Sequence, residues 1–302
     1  MLWDLLPSGP QLGGAPGNFA YHARALGANA SVVTRVGDDT FGHDILRHFE
    51  KQGIADGTIQ MDATTPTGTV SVSLSENGNP DYVIHENVAW DHLTVTTSAL
   101  KAIREADAIC FGSLAQRGEI SRSAIQRLVA AAPAETLRVF DINLRQKYFS
   151  REVIAQSLRL ANMLKLNDGE LTTLAEMFSL NGSARQQLQQ LAMEFSLRFI
   201  ALTRGPAGSL LFQNGQWSDC PSDPVQIVDT IGAGDAFTAA LVMGLLQKME
   251  LSKINFLADA VARHVCSCAG ATPPLPEWLC NSFSTSNGVV KKAADLVAAL
   301  KV

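Results

Sequence analysis

The sequence predicts a doubly wound α/β protein: a mainly parallel sheet covered by helices on both faces, with a smaller β-sheet beside it. Three observations carry that expectation. Apolar runs rich in Val, Ile and Leu alternate with stretches of helical period along the chain. Those runs show no polar side, as strands buried on both faces require. One segment, 67–87, breaks the rhythm with a period of two and a polar middle, the mark of a hairpin.

In chain order, "GGAPGNFAYHARALGA" (13–28) opens a helix. Gly13 and Gly14 allow close backbone approach, Pro16 suits the first turn, and Phe19, Ala23 and Leu26 form a buried stripe. Asn18 is left near the helix start, where it either bonds its own backbone or faces a ligand. "ASVVTRVG" (30–37) is a strand leading into the helical "DTFGHDILRHFEKQG". The hairpin 67–87 turns at "SENGNP". "ADAICFG" (106–112) precedes "SRSAIQRLVAAA", and "LRVFDIN" (137–143) precedes "SREVIAQSLRLA". Asp141, Asn143 and Arg145 alternate in direction where that strand's end fans out, available for capping or for ligand contact.

"NMLKLN" (162–167) leads into "DGELTTLAEMF". Its Asn167 and Glu170, three apart, fit equally a capping box and an oxygen pair for the water shell of Mg²⁺. "LRFIALTRG" (197–205) is a further strand. Thr203, Gly205 and Gly208 after it form a tight turn, either a plain hairpin or backbone exposed to a nucleotide. "VDTIGAGDAFTAALVMGLLQK" (228–248) brackets a Gly-Ala-Gly turn with Asp229 and Asp235 and runs into an apolar helix. A helix start with glycines is an anion site. Asp235 places a carboxylate where the anion would sit, a costly choice unless the acid acts on the ligand. The tail 284–302 reads as a polar linker and a short amphipathic helix.

Composition narrows the function. The 302 residues are 46% hydrophobic and 18% charged, enough to bury a full core. Net charge is −5 with no basic run, which argues against a nucleic-acid partner and for small polar ligands. Cys110, Cys220, Cys266, Cys268 and Cys280 lack paired C-x-x-C spacing and read as reduced. No apolar run reaches membrane-spanning length and no basic signal-peptide start is present, so a cytoplasmic protein without a membrane partner is expected. There is no G-x-x-x-x-G-K-[ST] loop, "GAGDAF" fails the dinucleotide pattern, and no protein-kinase motif set occurs.

Taken together, "GGAPGN", "DINLR", "NDGE" and "DTIGAGDAF" resemble the ribokinase-like (PfkB) carbohydrate kinases over nearly the whole chain, the last motif being the most specific. Within that family "LWDLLPSGPQLGGAPGNFAYHARALGA" and "FDINLRQ" look most like bacterial fructokinases. The resemblance implies one ribokinase-like domain over 1–302, with lid segments near 5–15 and 64–90. It implies transfer of the γ-phosphoryl of ATP to a sugar hydroxymethyl, the 6-position for D-fructose. By the same resemblance Asp235 is the base, and the N–H groups of Gly232, Ala233, Gly234 and Asp235 face the phosphoryl group. Asp4, Gly13, Gly14, Asn18, Asn143 and Arg145 match sugar-side positions. Asn167 and Glu170 match the Mg²⁺ and phosphate motif. Thr203, Gly205, Gly208, Gly232 and Gly234 match the nucleotide site, and Asp229 lies beside a monovalent-cation site for an ion such as K⁺. A homodimer through the lid belongs to the same expectation. Acceptors other than fructose (ribose, a 2-keto-3-deoxy acid, a nucleoside) and an inactive ligand-binding protein of the same fold are the alternatives. One departure stands out: relatives begin with an apolar strand before the segment matching "LWDLLP". Without it, the edges of the neighbouring strands are expected to be exposed and unpaired.

Overall fold

The computed structural model describes residues 1–6, 9–74, 80–284 and 294–299. The chain begins with strands β1 (Leu2–Leu6) and β2 (Gly9–Gly13), helix α1 (Ala15–Ala25), β3 (Asn29–Gly37), α2 (Thr40–Gln52) and β4 (Ile59–Asp62). A hairpin of β5 (Gly68–Leu74) and β6 (Pro80–Ile84) follows. Then come α3 (Thr97–Glu105), β7 (Ala108–Phe111), α4 (Glu119–Ala130), β8 (Leu137–Asp141), α5 (Arg151–Leu160), β9 (Met163–Asn167), α6 (Asp168–Phe178) and α7 (Ala184–Phe195). The last third holds β10 (Phe199–Thr203), β11 (Ser209–Gln213), β12 (Gln216–Cys220), α8 (Ala233–Leu246), α9 (Leu251–Cys266), α10 (Glu277–Ser282) and β13 (Asp295–Ala299).

The main sheet has nine strands in the order β12-β11-β10-β9-β8-β7-β13-β3-β4. From β10 to β4 neighbouring strands run parallel, and β11 and β12 extend one edge as an antiparallel meander. Side chains alternate between two apolar layers. Ile109, Phe111, Phe140, Leu164, Leu166 and Ile200 join one layer with Leu128, Leu158, Leu174 and Leu191. Ala108, Cys110, Val139, Met163 and Ala201 join the other, under Phe19, Phe49, Phe237, Leu241 and Leu257. Burial on both sides is why these strands read as unbroken apolar runs. The same alternation puts Asp141 and Lys165 on the side of α1 and α8.

The period-two segment is β5 and β6, antiparallel as the alternation predicts. They belong to a four-stranded sheet, β2-β1-β5-β6, in which β1 pairs antiparallel with β2 and parallel with β5. The tip expected at "SENGNP" lies, except for Pro80, outside the described residues. This smaller sheet is fastened to the rest by Trp3, whose Nε1 donates to Phe41 O at 3.1 Å and whose ring stacks on Phe41. On its other side Gln146 Nε2 donates to Tyr82 O at 2.6 Å.

Two expectations fail at the same place. The tail 284–302 is expected as a polar linker and a short amphipathic helix; 285–293 and 300–302 lie outside the described residues, and Asp295–Ala299 is the strand β13. The neighbouring edges were to be open; instead β13 lies between β7 and β3, parallel to both. Leu296 and Ala298 enter one apolar layer and Val297 the other. The entry is fixed by Asn29 N donating to Ala294 O at 2.9 Å, Asp107 N to Asp295 O at 2.8 Å and Asp295 N to Asp107 Oδ2 at 2.8 Å. Five residues with two alanines carry little preference of their own. A slot offering backbone partners on both sides decides their conformation.

A chain ending at residue 293 should therefore lose cooperative unfolding, as read by circular dichroism against temperature, because β7 and β3 would each lose a pairing strand. An unchanged midpoint in the shortened chain would show that β13 is peripheral.

Candidate active site

Helix α8 begins at Gly232, which has φ 79° and supplies no side-chain cap. The first turn of a helix has backbone N–H groups without intrahelical partners, and here they lie under glycines and one acid, Asp235. A Cβ at Gly232 would collide with Ala271, so the loop carrying Ala271 sits directly against this turn. Asp229 joins the two: its Oδ1 accepts from Ile231 N at 3.0 Å and its Oδ2 from Gly270 N at 3.1 Å. Val228 N donates to Cys266 O at 2.8 Å, closing the same junction.

Helix α1 packs across α8, and Asn18 Nδ2 donates to Asp235 Oδ2 at 3.0 Å. Two residues that sequence separates by more than two hundred positions are thus in direct contact. Gly14 caps α1 with φ 110°, and any Cβ there would lie 3.2 Å from the backbone of Met1. The Asp4 carboxyl on β1 rests against Gly13, where a side chain would strike it. Burial raises the Asp4 carboxyl above its ordinary pKa.

Beneath the turn lies a buried ion pair. Lys165 Nζ is 3.3 Å from Asp141 Oδ1, and Thr238 Oγ1 lies 2.8 Å from Asp141 Oδ2 and 2.9 Å from Gly234 O. A Cβ built on Gly234 would be 3.2 Å from Lys165 Nζ. An ammonium therefore stands under the positive end of α8, adding to its field rather than offsetting it. That arrangement suits a multiply charged anion above the turn. Asp141 is fully buried, so it does not fan out with Asn143 and Arg145. Lys165 was not among the residues singled out from sequence. The signal available was a lone lysine at an inward position of an otherwise apolar strand.

The loop after β8 is held by the start of α6. Glu170 Oε1 accepts from Leu144 N at 3.0 Å and Oε2 from Asn167 N at 2.8 Å, while Asn167 Oδ1 accepts from Glu170 N at 2.8 Å. Asn167 and Glu170 thus form a capping box in which the acid also fixes a neighbouring loop. Asn143 has φ 43°, and Ser113 Oγ donates to Ile142 O at 2.7 Å beside it. Arg145 is exposed, with its Nη1 donating to Leu144 O at 3.3 Å. Thr203 is in register with Asn167 on the adjacent strand. Gly205 and Gly208, at φ 53° and 85°, make the turn from β10 to β11, and a Cβ at Gly208 would collide with Cys220 O.

His22 sits one helical turn after Asn18, fully buried, with Nε2 2.9 Å from Ala271 O. That carbonyl needs a donor, which places the proton on Nε2. Burial holds the imidazole below its ordinary pKa, although the charge of Asp235 works the other way.

The model of the pfkB family of carbohydrate kinases matches residues 10–278. A Pyrococcus horikoshii protein described as an uncharacterized sugar kinase is 30% identical over 277 residues, covering 88% of this chain and 85% of its own. The fructokinase of Klebsiella pneumoniae is 32% identical over 282 residues, 89% of this chain and 90% of its own. Among solved structures, the Pyrococcus protein in complex with ATP superposes with a TM-score of 0.75 at 28% identity over 90% of this chain and 91% of that one. The fructokinase of Vibrio cholerae, with fructose, ADP and calcium bound, gives 0.77 at 22% identity over 93% and 96% and shows the fold alone.

Two outcomes are expected from the buried groups. Lys165→Met leaves Asp141 buried without its cation and should cost about 3–5 kcal/mol in denaturant unfolding. Adding Asp141→Leu should recover part of that loss, and a double variant less stable than the single one would mean that the pair is not coupled. For His22, the folded state refuses a proton that the unfolded chain accepts near 6.5, so stability should fall as pH drops below that value. His22→Gln, which keeps a donor for Ala271 O, should flatten that part of the stability profile relative to the parent.

Proposed function

The chain belongs to the pfkB family of carbohydrate kinases, and on that premise we propose that it phosphorylates D-fructose at the 6-position with ATP. The observation that carries the phosphoryl transfer is the Asn18 to Asp235 contact at the uncapped start of α8, and fructose as acceptor is supported by the 32% identity to a fructokinase. It places a carboxylate, an amide and a helix terminus at one point, where a hydroxyl can lose a proton while a phosphoryl group is held.

In the proposed reaction the sugar 6-oxygen attacks the γ-phosphorus, the bond to the β,γ-bridging oxygen breaks, and ADP leaves with that electron pair. The hydroxyl proton goes to Asp235. An ordinary carboxylate suffices, because in a loose transition state the proton becomes acidic late. The backbone of Gly232, Ala233, Gly234 and Asp235 faces the equatorial oxygens, and Lys165 adds charge from below. Asp4, Gly13, Gly14 and Asn18 line the sugar side, with Asn143 and Arg145 on the loop across from them. Thr203, Gly205 and Gly208 take the nucleotide side.

Among the described residues no three His, Cys, Asp or Glu side chains converge on a metal position. Asn167 and Glu170 each already bond backbone N–H groups, which suits an ion that keeps most of its own waters. They would hold Mg²⁺ through those waters. When bound, the ion would supply neutralisation of the nucleotide's phosphate charge. Asp229, bridging the turn and the Gly270 loop, would serve a monovalent cation such as K⁺. Tyr82 and Val83, half exposed on the edge strand β6, support a homodimer through the smaller sheet.

ADP release measured over D-fructose, D-ribose, 2-keto-3-deoxygluconate and a nucleoside should give fructose the highest kcat/KM. Another acceptor turned over more efficiently would remove fructose and leave the family assignment standing. Asp235→Asn should lower kcat at least about 10²-fold while sparing fructose binding, and a smaller loss would remove Asp235 as the base.

A further inference from the structure

A cavity of about 660 Å³ opens beside the smaller sheet, and none of Asp4, Asn18, Arg145 and Asp235 lines it. Its walls are the segment after β6, the loop from β7 to α4 and the loop from β8 to α5. Its volume is that of a site for a small metabolite.

The cavity is organised around Arg117, whose side chain is only 6% exposed. Nε and Nη2 donate to the two oxygens of Asp91 at 2.8 Å, and Nη2 also donates to His85 O at 2.6 Å. The guanidinium lies 3.9 Å from the centroid of the Trp90 ring and 4.9 Å from that of Tyr148. Its remaining nitrogen, Nη1, is buried and makes no hydrogen bond among the described residues. A buried cationic donor left unmade is costly, and the fork on Asp91 together with the two rings holds it where it is. Arg122 and Lys147 line the same cavity.

The acids of the wall are mostly spoken for. Asp91 is taken by Arg117, and Glu86 accepts from the Tyr148 hydroxyl at 2.9 Å. Glu119, in the first turn of α4, also lines the space. Helix α4 starts there from Gly118, with no side-chain cap. His85 turns instead toward Ser71 of β5, with Nε2 2.7 Å from its Oγ, while Glu86 lines the cavity.

We propose that this cavity is a second ligand site, for a small metabolite whose phosphate or carboxylate lies in the combined positive field of Arg117, Arg122 and Lys147. Glu119 then selects for a ligand that also carries hydroxyl or ammonium donors. The site stands independently of which sugar is phosphorylated.

Calorimetric titration of the full chain, with the nucleotide site saturated by a non-hydrolysable ATP analogue, tests this with inorganic phosphate and acetate as probes. Saturable binding of one anion per chain is expected with Kd below about 10 mM. The Arg122→Ala/Lys147→Ala variant, which leaves the buried Arg117 fork untouched and should keep its melting midpoint, should bind at least about tenfold more weakly. Tighter phosphate would assign phosphorylated ligands and tighter acetate would assign carboxylates. No saturable binding of either probe, or binding unchanged in the double variant, would overturn the proposal.

Discussion

A single buried carboxylate, Asp141, joins the three elements on which the candidate active site is built. It ends β8, meets the ammonium of Lys165 on β9, and lies within hydrogen-bond reach of Thr238 on α8. Because both partners are buried, neither can be removed without leaving an unpaired charge in a low-dielectric setting. The contact therefore fixes where the first turn of α8 stands relative to the sheet edge. Everything placed against that turn, from Asn18 to the Gly270 loop, takes its position from it.

Around this pair the loops are held by acids that accept from backbone as well as by apolar packing. Glu170 ties the β8 loop to α6, and Asp229 ties the Gly-Ala-Gly turn to the chain after α9. Such bonds are directional and short, so they set loop conformation without filling the space above it. The same economy explains why an acid can be structural in one state and remain able to interact through its other lone pairs.

The far side of the smaller sheet is braced differently. There Arg117 is stacked between Trp90 and Tyr148 and forked on Asp91. Aromatic faces and a planar cation lock a geometry that a flexible lysine would not. The loops after β7 and β8 thus answer both to the active site and to this second cavity.

By itself the sequence determined the α/β class, the strands β3, β7, β8, β9 and β10, the hairpin and the four motif segments, because each rests on local signals: apolar runs, period and glycine-bearing turns; β4 carried no such signal. It left Asn167 and Glu170 open between capping and ligand contact, since spacing alone serves both; the structure shows the capping box, and the ligand role rests on the proposal. Only the tertiary structure decided the rest. It paired Asn18 with Asp235 and Lys165 with Asp141, contacts across long stretches of chain that no local pattern encodes. It turned 295–299 from an expected helix into the strand between β7 and β3, because those five residues have weak preferences and the slot's unpaired backbone groups do not.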